Sequence, residues 1–331
     1  MELIKNQIDA LNIELTIKIA AADYAEAERK RLAECRRKAD FKGFRKGMVP
    51  ESLVKRVYGE QILSEAVNEV LSGALGKFIE DEKLHILGEP LSSEKQQPIV
   101  WKSGEDFEFI FDLATAPEVK LEVEKADEIA KYEITPMAKE KKEMAENLKK
   151  YYESKKDEEP KTDEQIDAEV LERLTDNYRQ ESEWRLNKDI RDFYIAKAGI
   201  ELPEAFLKRW LVYANEGKVS AEDIDKEFAG FVEDFKWQMV RGYLCEKMGI
   251  KIEQTDVEEA AKAYVTYQYA MYGLGNVPED VIAESVKNVL NDSKQIERLA
   301  ENVEDQKVIA KIKETATIKS KKLSSDKFKA L

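Results

Sequence analysis

The chain has 331 residues, 43% hydrophobic and 37% charged, so it can bury cores while much of its surface stays solvated. Its 14 glycines and 8 prolines are few for this length, which argues against an all-β protein built on many tight turns. A formal net charge of −14 indicates overall repulsion from nucleic acid, but charge acts locally, so a basic patch can still bind phosphate.

Cysteine usage and hydropathy bear on the compartment. Cys35 and Cys245 lie far apart and form no CxxC pair, which argues against a disulfide framework or a zinc knuckle. The first ten residues carry no apolar signal-peptide core, and no run of 18 apolar residues is available to span a bilayer. We therefore expect a cytoplasmic protein with no membrane partner.

The first third of the chain predicts a mixed domain. Apolar and polar residues alternate strictly over residues 11–19, which is typical of a half-buried strand. Asp23 is expected to cap a helix over residues 24–39, and apolar pairs spaced by four predict a second helix over 61–80. Alternating phenylalanines from Phe107 predict a strand that returns to pair with the first. The sequence therefore predicts an α+β domain over residues 1–115.

The remainder of the chain is predominantly helical in pattern. A glycine-free stretch follows Pro117, and a long helix is expected to end at Gly199 as its C-cap. The Lys-rich tail from Lys319 is expected to fray. We predict an α+β N-terminal domain plus an elongated all-α C-terminal body. The linker would cover residues 116–162, and the helical domain residues 163–331.

The most informative local feature is a basic segment, residues 29–56, in which eleven Lys and Arg face only three Asp and Glu. Such a segment is a candidate nucleic-acid footprint. Within it, Gly43 and Gly47 bracket an aromatic and two cations, which a loop can present to phosphate or carboxylate groups. The pattern alone favours a simpler interpretation, a connection between helices whose Phe44 packs inward.

The eight residues Gly43-Phe44-Arg45-Lys46-Gly47-Met48-Val49-Pro50 resemble the signature loop of bacterial trigger factors, and the strand–helix–loop–helix order around them also matches. In that family the loop docks on a ribosomal protein and adjacent rRNA at the polypeptide tunnel exit. The resemblance implies a ribosome-binding site made of Gly43, Phe44, Arg45, Lys46, Gly47 and Pro50. The similarity covers roughly residues 1–135 and 165–315.

The family usually carries an FKBP-type prolyl isomerase domain between these parts. Here the interval 118–198 is glycine-free and too short for that fold, so the resemblance does not extend to isomerase activity. No GxxxxGK[ST] loop occurs, and His85 is the single histidine, which argues against ATP cycling, His-pair metal sites and a Ser-His-Asp triad. We expect no catalytic residues, metal or cofactor.

The resemblance implies an ATP-independent chaperone that holds nascent polypeptides through weak apolar contacts. Client-binding candidates are the aromatic and thioether residues Trp210, Tyr213, Phe228, Phe231, Tyr264, Tyr267, Met271 and Tyr272, at least half of which are expected to be buried as ordinary core. Two alternatives stay open: a cytoplasmic helical scaffold for one folded protein, and residual prolyl isomerase activity. Whether the free chain forms a homodimer is also open.

Overall fold

The structure, a computed structural model, describes the whole chain except residues 155–160. The described residues pack into two compact units. The first contains Met1–Glu118 and Glu201–Val232, and the second contains Val119–Ile200 and Glu233–Leu331.

The elements are, in chain order, β1 (Glu2–Gln7), β2 (Asn12–Ile19), α1 (Ala21–Lys38), α2 (Glu51–Asp81), β3 (Leu91–Ser92), β4 (Phe107–Ala114), β5 (Glu128–Thr135), α3 (Ala138–Ser154), α4 (Asp163–Ala198), α5 (Glu204–Ala214), α6 (Ala221–Lys247), α7 (Gln254–Met271), α8 (Glu279–Leu290), α9 (Ser293–Thr315), β6 (Thr317–Ser324) and α10 (Ser325–Lys329). The predicted fold class, an α+β N-terminal part followed by a helical body, is confirmed.

The first unit is built on an antiparallel sheet with strand order β1-β2-β4-β3. The predicted pairing of the two alternating strands is confirmed, with Leu15 opposite Phe111 and Ile17 opposite Phe109. The inward residues of β2 pack with Leu63 and Val67 of α2 in one core. Strand β1 was not predicted because it lies at the sheet edge with all six residues exposed, so it lacks an alternating pattern.

Helix α1 starts earlier than the sequence pattern predicts. Its N-cap is Ala20, and Asp23 occupies the third helical position, where its carboxylate accepts the Ala20 N–H at 2.9 Å. The prediction of Asp23 as the N-cap is therefore wrong by three residues. An acidic side chain in the first turn of a helix suits both positions, because the free N–H groups and the helix dipole extend over that whole turn.

The second unit confirms the long helix. Thr162 and Gln165 exchange capping hydrogen bonds at the start of α4. At its end Gly199 adopts φ 59° and donates its N–H to the carbonyl of Ile195. This left-handed conformation is accessible to glycine at little cost, which explains why the helix stops there.

The prediction that the Lys-rich tail frays is wrong. Residues Thr317–Ser324 form β6, which pairs in parallel with β5 from Glu128 opposite Thr317 to Thr135 opposite Ser324. A strand of this composition gives little signal because its middle residues are exposed and its lysines disfavour a strand assignment. Its pairing depends on β5, which lies almost 190 residues earlier in the sequence.

Candidate binding surfaces

The loop between α1 and α2 consists of two successive turns. The Phe44 N–H donates to the Phe41 carbonyl at 3.0 Å, and the Met48 N–H donates to the Arg45 carbonyl at 2.9 Å. Each turn has a glycine at its third residue, Gly43 with φ +95° and Gly47 with φ +81°. A positive φ at this position favours glycine, so these two residues set the path of the loop.

The base of the loop is fixed by packing. Val49 is fully buried in a small core between α1 and α2. The Arg36 Nε donates to the Val49 carbonyl at 2.8 Å, which ties the end of the loop to α1. Phe41 is half-buried and meets the Tyr58 ring edge-on, with 6.0 Å between centroids. The loop is therefore held at both ends by apolar contacts.

The predicted contact residues lie at the exposed part of this loop. Phe44 is 44% exposed, and Arg45 and Lys46 are also exposed. Within the described residues, the Arg45 and Lys46 side chains make neither a hydrogen bond nor an ion pair. The inward-facing aromatic of the simpler interpretation is Phe41 rather than Phe44. The loop can therefore offer an aromatic ring and two free cations to a partner.

Three exposed apolar residues in this loop and at the start of α2 were not among the predicted contact residues. Met48 is 69% exposed and Val57 is 52% exposed, and Tyr58 also reaches the surface. Val57 precedes the apolar pairs that begin at Ile62 and does not share their four-residue spacing. This break in the pattern was the signal in the sequence that Val57 lies outside the buried face of the helix. Of the three residues, Met48 is part of the loop itself, and Tyr58 contacts the Phe41 ring at the base of the loop.

Most cations of the basic segment have no partner. Arg31 bridges Glu65 and Glu69 at 2.8 and 2.9 Å, and Lys55 pairs with Glu51 at 2.9 Å. Eight others make no side-chain hydrogen bond or ion pair in the part of the chain that the structure describes: Arg29, Lys30, Arg37, Lys38, Lys42, Arg45, Lys46 and Arg56. The segment therefore keeps a positive field available to an anionic partner.

Four client-binding candidates belong to the first unit. Phe228 is buried and stacks on Phe231, which is half-buried, with 5.9 Å between ring centroids. Trp210 is half-buried and covers Gly88, where an added Cβ would lie only 2.6 Å from the indole Nε1. Tyr213 is exposed. The structure thus gives Phe228 and Trp210 packing roles within this unit.

The other four candidates lie at the C-terminal end of α7 in the second unit. Tyr264, Tyr267, Met271 and Tyr272 are all exposed, and Tyr272 reaches 83%. Leu274, which the sequence reading did not include, is exposed beside them. Of the eight candidates only Phe228 is buried, so the expectation that half would be buried is wrong. The C-terminal end of α7 is followed by the short helix α8, and no residue of α8 is buried.

Residues 1–154 and 161–331 offer neither a metal site nor a membrane span. Within these ranges, no group of three or more His, Cys, Asp and Glu side chains is placed to hold a metal ion. No helix in the same ranges is long and apolar enough to cross a membrane.

Two family models match the chain. Residues 1–151 match the model described as bacterial trigger factor protein, and residues 182–331 match the model described as probable trigger factor, C-terminal domain. The 30 residues between the matches fall on the end of α3, the undescribed residues and the start of α4.

Curated relatives give the same family. The trigger factor of Francisella tularensis subsp. novicida (strain U112) is 28% identical over 152 residues, which is 46% of this chain and 34% of that protein. The trigger factor of Marinobacter nauticus is 35% identical over 112 residues, covering 33% of this chain and 25% of the relative. The alignments therefore span about a third or less of the curated relatives.

One solved structure resembles nearly the whole chain. It comes from a study titled "Promiscuous Substrate Recognition in Folding and Assembly Activities of the Trigger Factor Chaperone". The TM-score is 0.55 at 15% identity, with 94% of this chain and 99% of that chain covered. At this identity the match supports the fold alone. Because the N-terminal and C-terminal models together account for most of its length, the chain belongs to the trigger factor family.

Proposed function

We propose that the chain is an ATP-independent, ribosome-associated chaperone that acts in the cytoplasm on nascent polypeptides. One observation carries this proposal: the loop that resembles the family signature presents Phe44, Arg45 and Lys46 at the surface, and neither cation has an ion pair in the described part of the chain. Because the base of the loop is anchored and the loop backbone is already ordered, docking of the exposed tip costs little conformational entropy.

The ribosome contact would combine two physical effects. Phe44 and its exposed neighbour Met48 supply apolar area, worth roughly 25 cal/mol per Å² removed from water. The free cations supply attraction to phosphate or carboxylate groups, which weakens as salt rises. Retention on ribosomes should therefore fall with salt but keep a salt-independent part.

Co-sedimentation with ribosomes tests the anchor. We expect Phe44→Ala/Arg45→Ala/Lys46→Ala to lower retention at low salt by roughly ten-fold or more, since the substitution removes both effects at once. The matched control is Lys321→Ala/Lys327→Ala, which removes two tail cations that make no side-chain hydrogen bond or ion pair with residues 1–154 or 161–331. A wild-type chain that stays in the supernatant at low salt contradicts the proposal. It would favour the scaffold alternative, in which the loop meets an acidic protein.

Client binding is assigned to the exposed end of α7. Three tyrosines and a methionine are accessible there, and a thioether adapts to partners of different shape. A few hundred Å² of such contact gives only modest binding once ordering costs are subtracted, so clients can leave without ATP.

Aggregation of a chemically denatured protein measures this holding activity. We expect Tyr267→Ser/Met271→Ser/Tyr272→Ser to weaken suppression several-fold, because the apolar contacts are lost. The matched control is Trp184→Ser, which removes another exposed aromatic, one on α4. Equal loss in both variants would assign the activity to surface apolarity in general.

We infer further that prolyl isomerisation is not part of this function. In support, the described residues between Glu128 and Ala198 are taken up by β5, α3, α4 and their short connections. A proline-limited refolding assay with the purified chain tests the inference, and catalysis there would overturn it.

A further inference from the structure

Beside the loop lies a groove of about 340 Å³ between α1 and the start of α2. Three arginines line it, Arg29, Arg36 and Arg37, together with Leu32, Gly47 and Glu51. None of these three arginines belongs to the loop signature, and from the sequence all three were counted only as part of the basic segment.

The spacing along α1 explains why the arginines share one wall. Arg29, Leu32 and Arg36 follow each other at three and four residues, which places them on one face of a helix. Leu32 is buried and forms the apolar floor, while Arg29 and Arg36 lie two turns apart, about 10 Å along the axis. Arg37 is next to Arg36 at the same end of the groove.

The guanidinium of Arg36 is held in place before any ligand binds. Its Nε donates to the Val49 carbonyl at 2.8 Å, and its two terminal nitrogens make no hydrogen bond or ion pair within residues 1–154 and 161–331. A guanidinium fixed in this way loses less freedom when its remaining N–H groups bind an anion.

The acidic residue of the groove offsets only part of this positive charge, since Lys55 first and Arg36 to a smaller extent lower the pKa of the Glu51 carboxyl. The Glu51 carboxylate accepts from Lys55 at 2.9 Å, one turn further along α2. Gly47 on the opposite side has no side chain to close the groove, and a Cβ built there would meet nothing within 4 Å. The groove is therefore open and keeps a net positive charge, with three arginines against one carboxylate that also pairs with Lys55.

We propose that this groove binds the phosphate backbone of structured RNA. A row of arginine forks about 10 Å long fits a continuous polyanion better than isolated carboxylates, because each guanidinium can bind one phosphate in a bidentate manner. The proposal depends on the proposed ribosome association in one respect only, namely that the ribosome is where the chain meets RNA. The groove would bind the RNA, and the tip of the loop would make a separate contact.

Fluorescence anisotropy with a labelled RNA hairpin, without ribosomes, tests the groove directly. We expect Arg29→Gln/Arg37→Gln to lower affinity roughly ten-fold at about 0.1 M salt, since two phosphate contacts are lost. The slope of log affinity against log salt should become shallower by about 1.5 to 2. The matched control, Lys321→Gln/Lys327→Gln, removes the same charge elsewhere and should leave the slope unchanged. Circular dichroism melting confirms that each variant is folded.

Three outcomes would overturn the proposal. The first is an unchanged affinity and slope in Arg29→Gln/Arg37→Gln. The second is an equal loss in the control, which would show an effect of net charge alone. The third is equally tight binding of poly-glutamate with the same dependence on Arg29 and Arg37, which would assign the groove to acidic proteins. Because ribosomes are absent, RNA binding can survive a failure of ribosome co-sedimentation, and the reverse also holds.

Discussion

Two segments of this chain are rich in cations but differ in the environment of those cations. In residues 29–56, eight of eleven cations have neither an ion pair nor a side-chain hydrogen bond among the described residues. In residues 311–329, seven lysines face two acidic residues in sequence, yet five of the seven are in ion pairs. The positions of the surrounding carboxylates thus decide whether the cations of a basic segment stay free or form ion pairs within the fold.

Four of the five ion-paired lysines of the second segment find their carboxylates on other elements of the second unit. Lys313 pairs with Glu183 of α4, Lys319 with Glu128 of β5, and Lys329 with Glu140 of α3. Glu140 is the most connected of these carboxylates. It accepts from the Met137 N–H at 3.0 Å, the Tyr178 hydroxyl at 2.8 Å, the Ser325 hydroxyl at 2.5 Å and Lys329 at 2.6 Å.

The largest change in stability is expected from Glu140→Ala, which removes a carboxylate that binds the second segment. The substitution leaves the Tyr178 hydroxyl and Lys329 without their acceptor, which should lower the free energy of unfolding by about 2 to 3 kcal/mol. Urea unfolding measures the loss. Glu143→Ala is the control, because Glu143 is exposed and the one ion pair it makes among the described residues, with Lys139, is 3.8 Å long. A stability equal to wild type would show that the tail is not fastened at this carboxylate.

Acid should weaken the hydrogen bonds and the ion pair that Glu140 makes with the tail. Burial by itself raises the pKa of the Glu140 carboxyl, but hydrogen bonds from Lys329, Ser325, Met137 and Tyr178 outweigh it and lower the pKa to about 2. A carboxyl whose pKa is lower in the folded state stabilises the fold above its unfolded pKa. We therefore expect this contribution to be complete above pH 4.5 and to disappear as pH falls towards 2.

The check is the pH dependence of urea unfolding in wild type and in Glu140→Gln, which cannot titrate. The difference in unfolding free energy between the two should shrink between pH 4.5 and 2. A difference that stays constant over that range would mean that Glu140 titrates normally in the folded protein.

The smallest effect is expected in the first segment. Arg36→Gln removes the hydrogen bond to the Val49 carbonyl and should cost about 1 kcal/mol of stability, because that carbonyl loses its donor. Arg37→Gln, which loses no hydrogen bond or ion pair within the described ranges, should stay within about 0.5 kcal/mol of wild type. Hydrogen exchange over residues 41–50 would show whether the loop opens more often in Arg36→Gln. Equal stability of the two variants would remove Arg36 as the tie of the loop.

Much of the fold could be read from local periodicity. Strands β2 and β4 alternate because one face is buried, and α4 carries its own start and stop signals in Thr162 and Gly199. Strands β1 and β6 gave no such signal because their residues are largely exposed and their pairing partners lie elsewhere in the chain. Strand formation at an edge is decided by the neighbouring strand rather than by the strand's own pattern.

The candidate site shows the same division. The loop residues from Gly43 to Pro50 were found by their order in the sequence alone. Their exposure could not be predicted from that order. Phe41 and Phe44 are the same residue type three positions apart, and only Phe41 packs against the core. The burial of Phe228 and the contact of Trp210 with Gly88 likewise depend on which helix faces which element.

By itself, the sequence determined the two alternating strands, the long helices, the signature loop and the charge of each segment. These features arise from neighbours a few residues apart, whose spacing follows from helix and strand geometry. The tertiary structure alone decided which cations stay free, which aromatics reach the surface, and that the tail forms a strand against β5. Each of those outcomes depends on side chains that are distant in sequence and come together only when the chain folds.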